Sequence, residues 1–385
     1  MKIPFFKTEI SERAIDEVAS VLKSGWLTSG PQAKAFEQEF ASYVGEGVQA
    51  IAVNSCTAGL HLALEALGVS EGDEVIVPTL TFTATAEIVN YLGANVVLVD
   101  VNPDTLCASF EKIEAAITNK TKAVIYVHFA GYPIDITPLV ELCRRHSLRL
   151  VEDAAHAIPC RIDGKHIGTM GSDAAVFSFY ANKTMTTGEG GMIVTPEHDV
   201  ADRARVMRTH GISRDAFERF NGKSHLWQYD VVDAGYKYNL TDVAAALGRV
   251  QLSDVDKLRL GRLSAVSFYD QALIKLPLDL PPRPENRLCE HAWHLYVVQF
   301  YDKKVRDRAI EIMSEFDIGY SIHYTPLHNL SYWREVAVMP PDGFPAADHY
   351  FNHCLSLPLF PTLKDKEQEI IVRALEKAIN NEKTL

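Results

Sequence analysis

The sequence has no C-x-x-C pair, and its six cysteines (Cys56, Cys107, Cys143, Cys160, Cys289, Cys354) are scattered. In a chain of 385 residues that usage excludes a disulfide-stapled scaffold and reads as the reduced thiols of a cytoplasmic protein. The same scatter argues against a zinc site, and no metal is expected. Long apolar runs are missing too. The N-terminus, MKIPFFKTEISERAIDE, places charges within its first dozen residues, so it is neither a secretory signal nor a membrane span. Positive charge is scarce: 38 Lys and Arg face 50 Asp and Glu, a net charge of -12. A general binder of nucleic acid or anionic membrane carries the opposite sign, so neither partner is expected. A small anionic substrate stays open, because a local cluster can oppose the overall field. G-x-G-x-x-G, G-x-x-x-x-G-K-[ST] and G-x-S-x-G are all absent, as are internal repeats and low-complexity tracts.

What is present is an ordinary folded composition, 47% hydrophobic and 23% charged. The length exceeds what one core sustains, so two domains are expected. Short apolar runs at 48–55, 74–78, 95–101, 122–129 and 148–154 alternate with helical patterns at 57–69, 82–94, 109–117 and 136–147. Continuous β-branched runs are strands covered on both faces, and the alternation implies an α/β fold with a parallel sheet and right-handed crossovers. DAAVFSFY (173–180) and GGMIVT (190–195) lie too close for a helical crossover, so they read as an antiparallel pair. A long helical segment ends at LPLDLPPRPEN; beyond it come HAWHLYVVQF, a helix at 304–316, a strand YSIHY (320–324) and a closing helix at 364–380. The reading is a large domain, 1–260, and a smaller α+β domain, 261–385, on which the first thirty or so residues are placed.

Ligands of open α/β sheets sit beyond the carboxyl ends of the strands. Three segments put polar groups there. NSCTAGL (54–60) leaves a strand and enters a helix at Thr57-Ala58, which suits an anion such as phosphate or is an ordinary helix cap. VEDAAHA (151–157) ends a strand on Asp153 with His156 following; the carboxylate suits a cationic ring nitrogen, a metal or a turn. SFYANKTMTTGEGGM (178–192) holds Ser178 and Lys183 beside a glycine turn, and a desolvated lysine amine forms Schiff bases. An anion cup, a strand-end aspartate and a lysine together suit one cofactor, pyridoxal 5'-phosphate, which alternates with pyridoxamine phosphate in amino transfer.

These motifs, with SGWLTSGP (24–31), GDEVIVPTLTFTATA (72–86), GYKYNLTDVAAALG (235–248) and LSLPLFP (355–361), resemble the DegT/DnrJ/EryC1 sugar aminotransferases over essentially the whole chain. The GYKYNLTD form is similar to the branches that make UDP-4-amino-4-deoxy-L-arabinose and spore-coat polysaccharide. The resemblance implies the aspartate-aminotransferase (type I) fold and a homodimer with active sites at the interface. It implies Lys183 as the Schiff-base and catalytic residue, Asp153 against the pyridine nitrogen and His156 near the ring's phenolic oxygen. Phe82 would stack on the ring, and Thr57, Ala58 and Ser178 would hold the phosphate. Lys237 or Asn239 from the neighbouring subunit would complete that site. Trp26, Thr28 and His323 fall where the family contacts its sugar nucleotide, or pack a domain interface. The implied reaction moves the amino group of L-glutamate, leaving 2-oxoglutarate, to a nucleotide-linked 4-keto sugar, with UDP preferred. A dehydratase of the same family, which carries histidine in place of the lysine, and a silent sugar-nucleotide-binding protein are the alternatives.

Overall fold

The structure, a computed structural model, describes residues 2–213, 229–284 and 288–380. The apolar runs become strands β1 (Gln49–Val53), β2 (Glu74–Pro78), β3 (Asn95–Val99), β4 (Thr121–Val127) and β5 (Arg149–Asp153). The short β6 (Arg161–Ile162) and β7 (Lys165–His166) follow, then β8 (Ala174–Ser178) and β9 (Gly191–Thr195). The main sheet has the order β1-β9-β8-β5-β4-β2-β3. Only β9 runs against its neighbours. The expected antiparallel pair is there, with Phe177 opposite Met192 and Ser178 opposite Gly191.

Successive strand residues point to opposite faces, and both faces are covered. Ile51, Val53, Val176 and Ile193 enter one core cluster; Ala50, Ala52, Phe177 and Met192 enter the other. Helices α1 (Glu12–Ser24) and α2 (Pro31–Val44) precede the sheet, α3 (Cys56–Ala66), α4 (Ala84–Tyr91), α5 (Phe110–Ala115) and α6 (Thr137–Arg145) join β1 to β5 in turn, and α7 (His198–Met207) follows β9. Ser11, Ser55 and Ser109 cap α1, α3 and α5, each accepting a first-turn N–H on its hydroxyl.

The long helix α8 (Asp242–Leu273) passes unbroken through residue 260. Its first turn anchors α2. Buried Asp242 accepts N–H bonds from Gly30 at 2.7 Å, Ala33 at 3.0 Å and Gln32 at 3.2 Å. A carboxylate there meets the unpaired donors and positive end of α2. The SGWLTSGP turn closes around Gly30, where a Cβ would lie 2.2 Å from the Trp26 indole nitrogen.

The remaining elements are β10 (Leu278–Asp279), β11 (Cys289–Glu290), β12 (Tyr296–Phe300), α9 (Lys303–Glu315), α10 (Ser331–Val336), α11 (Pro345–His353), β13 (Cys354–Leu357) and α12 (Asp365–Ile379). β10, β12 and β13 form a small antiparallel sheet. A separate core gathers Val266, Tyr269, Tyr296, Ile312 and Leu375 around it. Ile3 belongs to that core and pairs with Ile318, whereas Phe36 and Phe40 of α2 pack beneath the main sheet. The segment expected as a strand at 320–324 is not one: a single Ser321–Ser356 bridge survives. The chain turns off the sheet there because His323 and Tyr324 are directed to a cavity in the main body.

Candidate active site

A cavity of about 470 Å³ opens at the carboxyl ends of β1, β2, β5 and β8, where the antiparallel β9 begins. It gathers Thr57, Phe82, Asp153, His156, Ser178, Lys183 and His323 on one wall or another. Seven residues expected from distant segments thus meet in one space. Ala58 is close by but does not line it; its N–H is taken by the Ser55 hydroxyl at 3.1 Å. Trp26 and Thr28 are not brought there either. Trp26 faces a separate groove with Gln32 and Asp242, and its indole N–H donates to the Ser29 carbonyl. Lys237 and Asn239 bond to each other on the strand-like segment beside the end of β1, away from this chain's own cavity.

The anion cup expected at 54–60 falls at the start of α3. Its backbone is crowded by the hairpin strand: a Cβ on Gly191 would lie 2.7 Å from the Ser55 carbonyl carbon and 2.8 Å from the Cys56 nitrogen. The glycines of GEGG therefore do two things. Gly188 takes a positive φ of 82° at the bend, and Gly191 lets β9 press on the cup. Ser178 lines the cavity and also accepts the Tyr180 N–H at 3.3 Å. Phe82 is 58% exposed on the cavity wall, which rules out core packing.

Lys183 sits in the β8–β9 hairpin with its N–H on the Tyr180 carbonyl. Burial draws its amine down from 10.5 to about 8, against Cys56 and Asp153, which favour the charged form. Asp153 is 6% exposed at the tip of β5. Burial raises its carboxyl above the usual range, while donors hold it the other way: Thr85 Oγ1 at 2.8 Å and the Ala155 N–H at 3.1 Å. Thr85 in turn pairs with Thr81, 2.8 Å away. His323 bonds Ser356 Oγ at 2.9 Å and stacks on Phe5; burial and Lys183 lower it to about 4. His156 is held well below its ordinary value by burial, Lys183 and His323.

Sequence reasoning missed Thr85, Asn182, Glu189 and Tyr324, all on the cavity wall. Tyr324 follows His323 directly and Asn182 precedes Lys183, so adjacency to a chosen residue was the available signal. Thr85 carried none beyond being three residues from Phe82 on the first turn of a helix.

An enclosed lysine amine, a buried strand-end carboxylate and a helix N-terminus match the three reactive parts of pyridoxal phosphate, namely its carbonyl, ring nitrogen and phosphate. The fold and site define a pyridoxal-phosphate-dependent aminotransferase. The chain belongs to the DegT/DnrJ/EryC1/StrS aminotransferase family, which it matches over residues 8–376. It is 39% identical over 381 residues to the spore coat polysaccharide biosynthesis protein SpsC of Bacillus subtilis, covering 98% of this chain and 97% of that one. The aminotransferase TlmJ from Streptoalloteichus hindustanus superposes with a TM-score of 0.90 at 32% identity, over 99% of this chain and 100% of that one. Spr1654 from Streptococcus pneumoniae, solved in PMP and PLP forms, matches its PMP form at 0.91 and 30%, over 99% and 100%. Among the described residues no helix is long and apolar enough to cross a membrane.

Proposed function

We propose that this protein moves the amino group of L-glutamate to the C4 keto carbon of a nucleotide-linked sugar, with UDP as the preferred nucleotide. The observation that carries this is the convergence of Lys183, Asp153 and the start of α3 on one cavity in a chain of a sugar aminotransferase family. Bound pyridoxal phosphate supplies an electron-accepting ring and a carbonyl that takes up the donor's nitrogen. The chain's residues do the rest. Thr57 and Ser178 hold the phosphate at the helix start. Asp153 presents a carboxylate to the ring nitrogen and keeps it protonated, and Phe82 stacks on the ring. Lys183 Nζ, neutral in a substantial fraction near pH 8, takes a proton from the donor carbon and later returns one to the sugar carbon.

A phosphate dianion needs more charge or N–H donors than this wall provides, since Lys183 is its only lysine and it holds no arginine among the described residues. Lys237 or Asn239 of a second copy supplies the missing donor, which makes the working form a homodimer. Trp26, Thr28 and His323 contact the sugar nucleotide across that arrangement. We place the enzyme in the cytoplasm, with the two cores acting as a large cofactor-binding and a small C-terminal domain.

The test is to incubate the purified protein with glutamate and a panel of UDP-, dTDP- and GDP-linked 4-keto sugars and read product mass. A gain of one amine with release of 2-oxoglutarate is expected from a UDP substrate. Lys183→Ala should be folded and inactive; an active variant sinks the assignment. A product that has lost water without gaining nitrogen would favour the dehydratase reading, and a protein that never takes up the cofactor would favour the silent one.

A further inference from the structure

Asn182 sits in the tight turn that delivers Lys183. The turn closes on the Lys183 N–H, which donates to the Tyr180 carbonyl at 3.0 Å. It is pinned from the N-terminal segment, where Thr8 Oγ1 donates to the Ala181 carbonyl at 2.8 Å. An asparagine in a turn ordinarily spends its side-chain oxygen on a nearby backbone N–H. Asn182 does not. Its Oδ1 is buried and takes no hydrogen bond from the protein, although the residue lines the cavity. Among the described residues no other side-chain nitrogen or oxygen of the cavity wall is in that state. Thr85 is committed to Asp153, His156 Nδ1 to the Ala130 N–H and His323 Nδ1 to Ser356. A buried acceptor left open is costly, and a donor carried into the cavity relieves that cost.

The two substrates of the proposed reaction differ in what they offer this oxygen. Glutamate brings two carboxylates, which only accept, and an amine that is used at the cofactor. The sugar brings hydroxyls, which donate. Its keto carbon has to lie at Lys183, so the group that meets the adjoining residue is the substituent one ring carbon away. On a 4-keto sugar that is the C3 hydroxyl, since C5 carries the ring oxygen. We propose that Asn182 is a specificity-determining residue whose Oδ1 accepts the hydroxyl next to the keto carbon of the sugar. The inference rests on the proposed function and deepens it by naming a group that the amino acceptor must carry.

The pyridoxal form of the holoenzyme holds no transferable amine, so a keto sugar binds it without reacting. Calorimetry on that form, with UDP-4-keto-6-deoxyglucose and with its 3-deoxy counterpart, reads the contact. The wild type should bind the hydroxylated sugar about tenfold more tightly. Asn182→Leu, similar in shape and without an acceptor, should bind the two sugars alike. The rate at which glutamate converts the cofactor to its amine form, followed by absorbance, should change far less, because no hydroxyl takes part. Equal affinities in the wild type, or a preference that survives in Asn182→Leu, overturn the proposal. A glutamate rate that falls as far as the sugar affinity makes Asn182 a support of the Lys183 turn and overturns it as well. A wild-type holoenzyme that glutamate does not convert refutes instead the function on which the proposal rests.

Discussion

The lowered affinity of Lys183 for its proton should be visible before any substrate is known. At a value of about 8, roughly one amine in ten is neutral at pH 7. A lysine at its ordinary 10.5 would offer about three in ten thousand, so the buried site gains about 300-fold in reactive amine. Burial is the main cause, and two groups oppose it. The Cys56 thiol is itself pushed well up by burial and stays neutral, which leaves the Asp153 carboxylate as the working opponent. The assay is the rate at which apoenzyme captures pyridoxal phosphate, followed by stopped-flow absorbance from pH 6 to 10 in excess cofactor. The rate should rise with pH as the amine loses its proton and level off just above pH 8. Asp153→Asn removes the charge that favours the ammonium, so its plateau should begin at lower pH. A wild-type rate still climbing at pH 10 would show an ordinary solvated lysine and refute the reasoning.

Thr85→Val removes a donor to the buried Asp153 carboxylate; a loss of about 1.5–3 kcal/mol should weaken cofactor binding by tenfold or more, and Thr85→Ser should restore it. Equilibrium dialysis of the cofactor reads both variants. Asp242→Ala leaves the N–H groups of Gly30, Gln32 and Ala33 without their acceptor, and should cost about 3 kcal/mol or more, measured as a lower urea midpoint. Gly191→Ala forces the start of α3 aside, so cofactor affinity should drop at least tenfold in a protein whose far-ultraviolet circular dichroism is unchanged.

Much of this was legible because the signals were local. The β-branched runs and three-to-four spacing mark the sheet and its helices, and the hairpin at 178–192 falls between two such runs. Asp153 and Lys183 stood out because each ends or interrupts an apolar stretch. What stayed hidden depends on pairings across the chain. The His156–Tyr324 bond spans 168 residues and the Thr85–Asp153 bond spans 68, and neither leaves a periodic trace. The misread strand at 320–324 has the same origin. Its alternation suited a sheet, but His323 and Tyr324 line the cavity and Tyr324 bonds His156, and the ladder ends after one bridge.

The contact of Gly191 with the Ser55–Cys56 backbone works as a gauge. It joins the hairpin that carries Lys183 to the start of α3, the proposed phosphate site, through main-chain atoms alone. The spacing proposed between the cofactor's two points of attachment then does not depend on lining side chains from other segments, such as His323. On the proposed reading, wall residues that do not hold the cofactor are free to change, and with them the shape of sugar admitted, while the reactive carbon stays in reach of Lys183. Drift in substrate and constancy of chemistry thereby become separable properties of one small cavity.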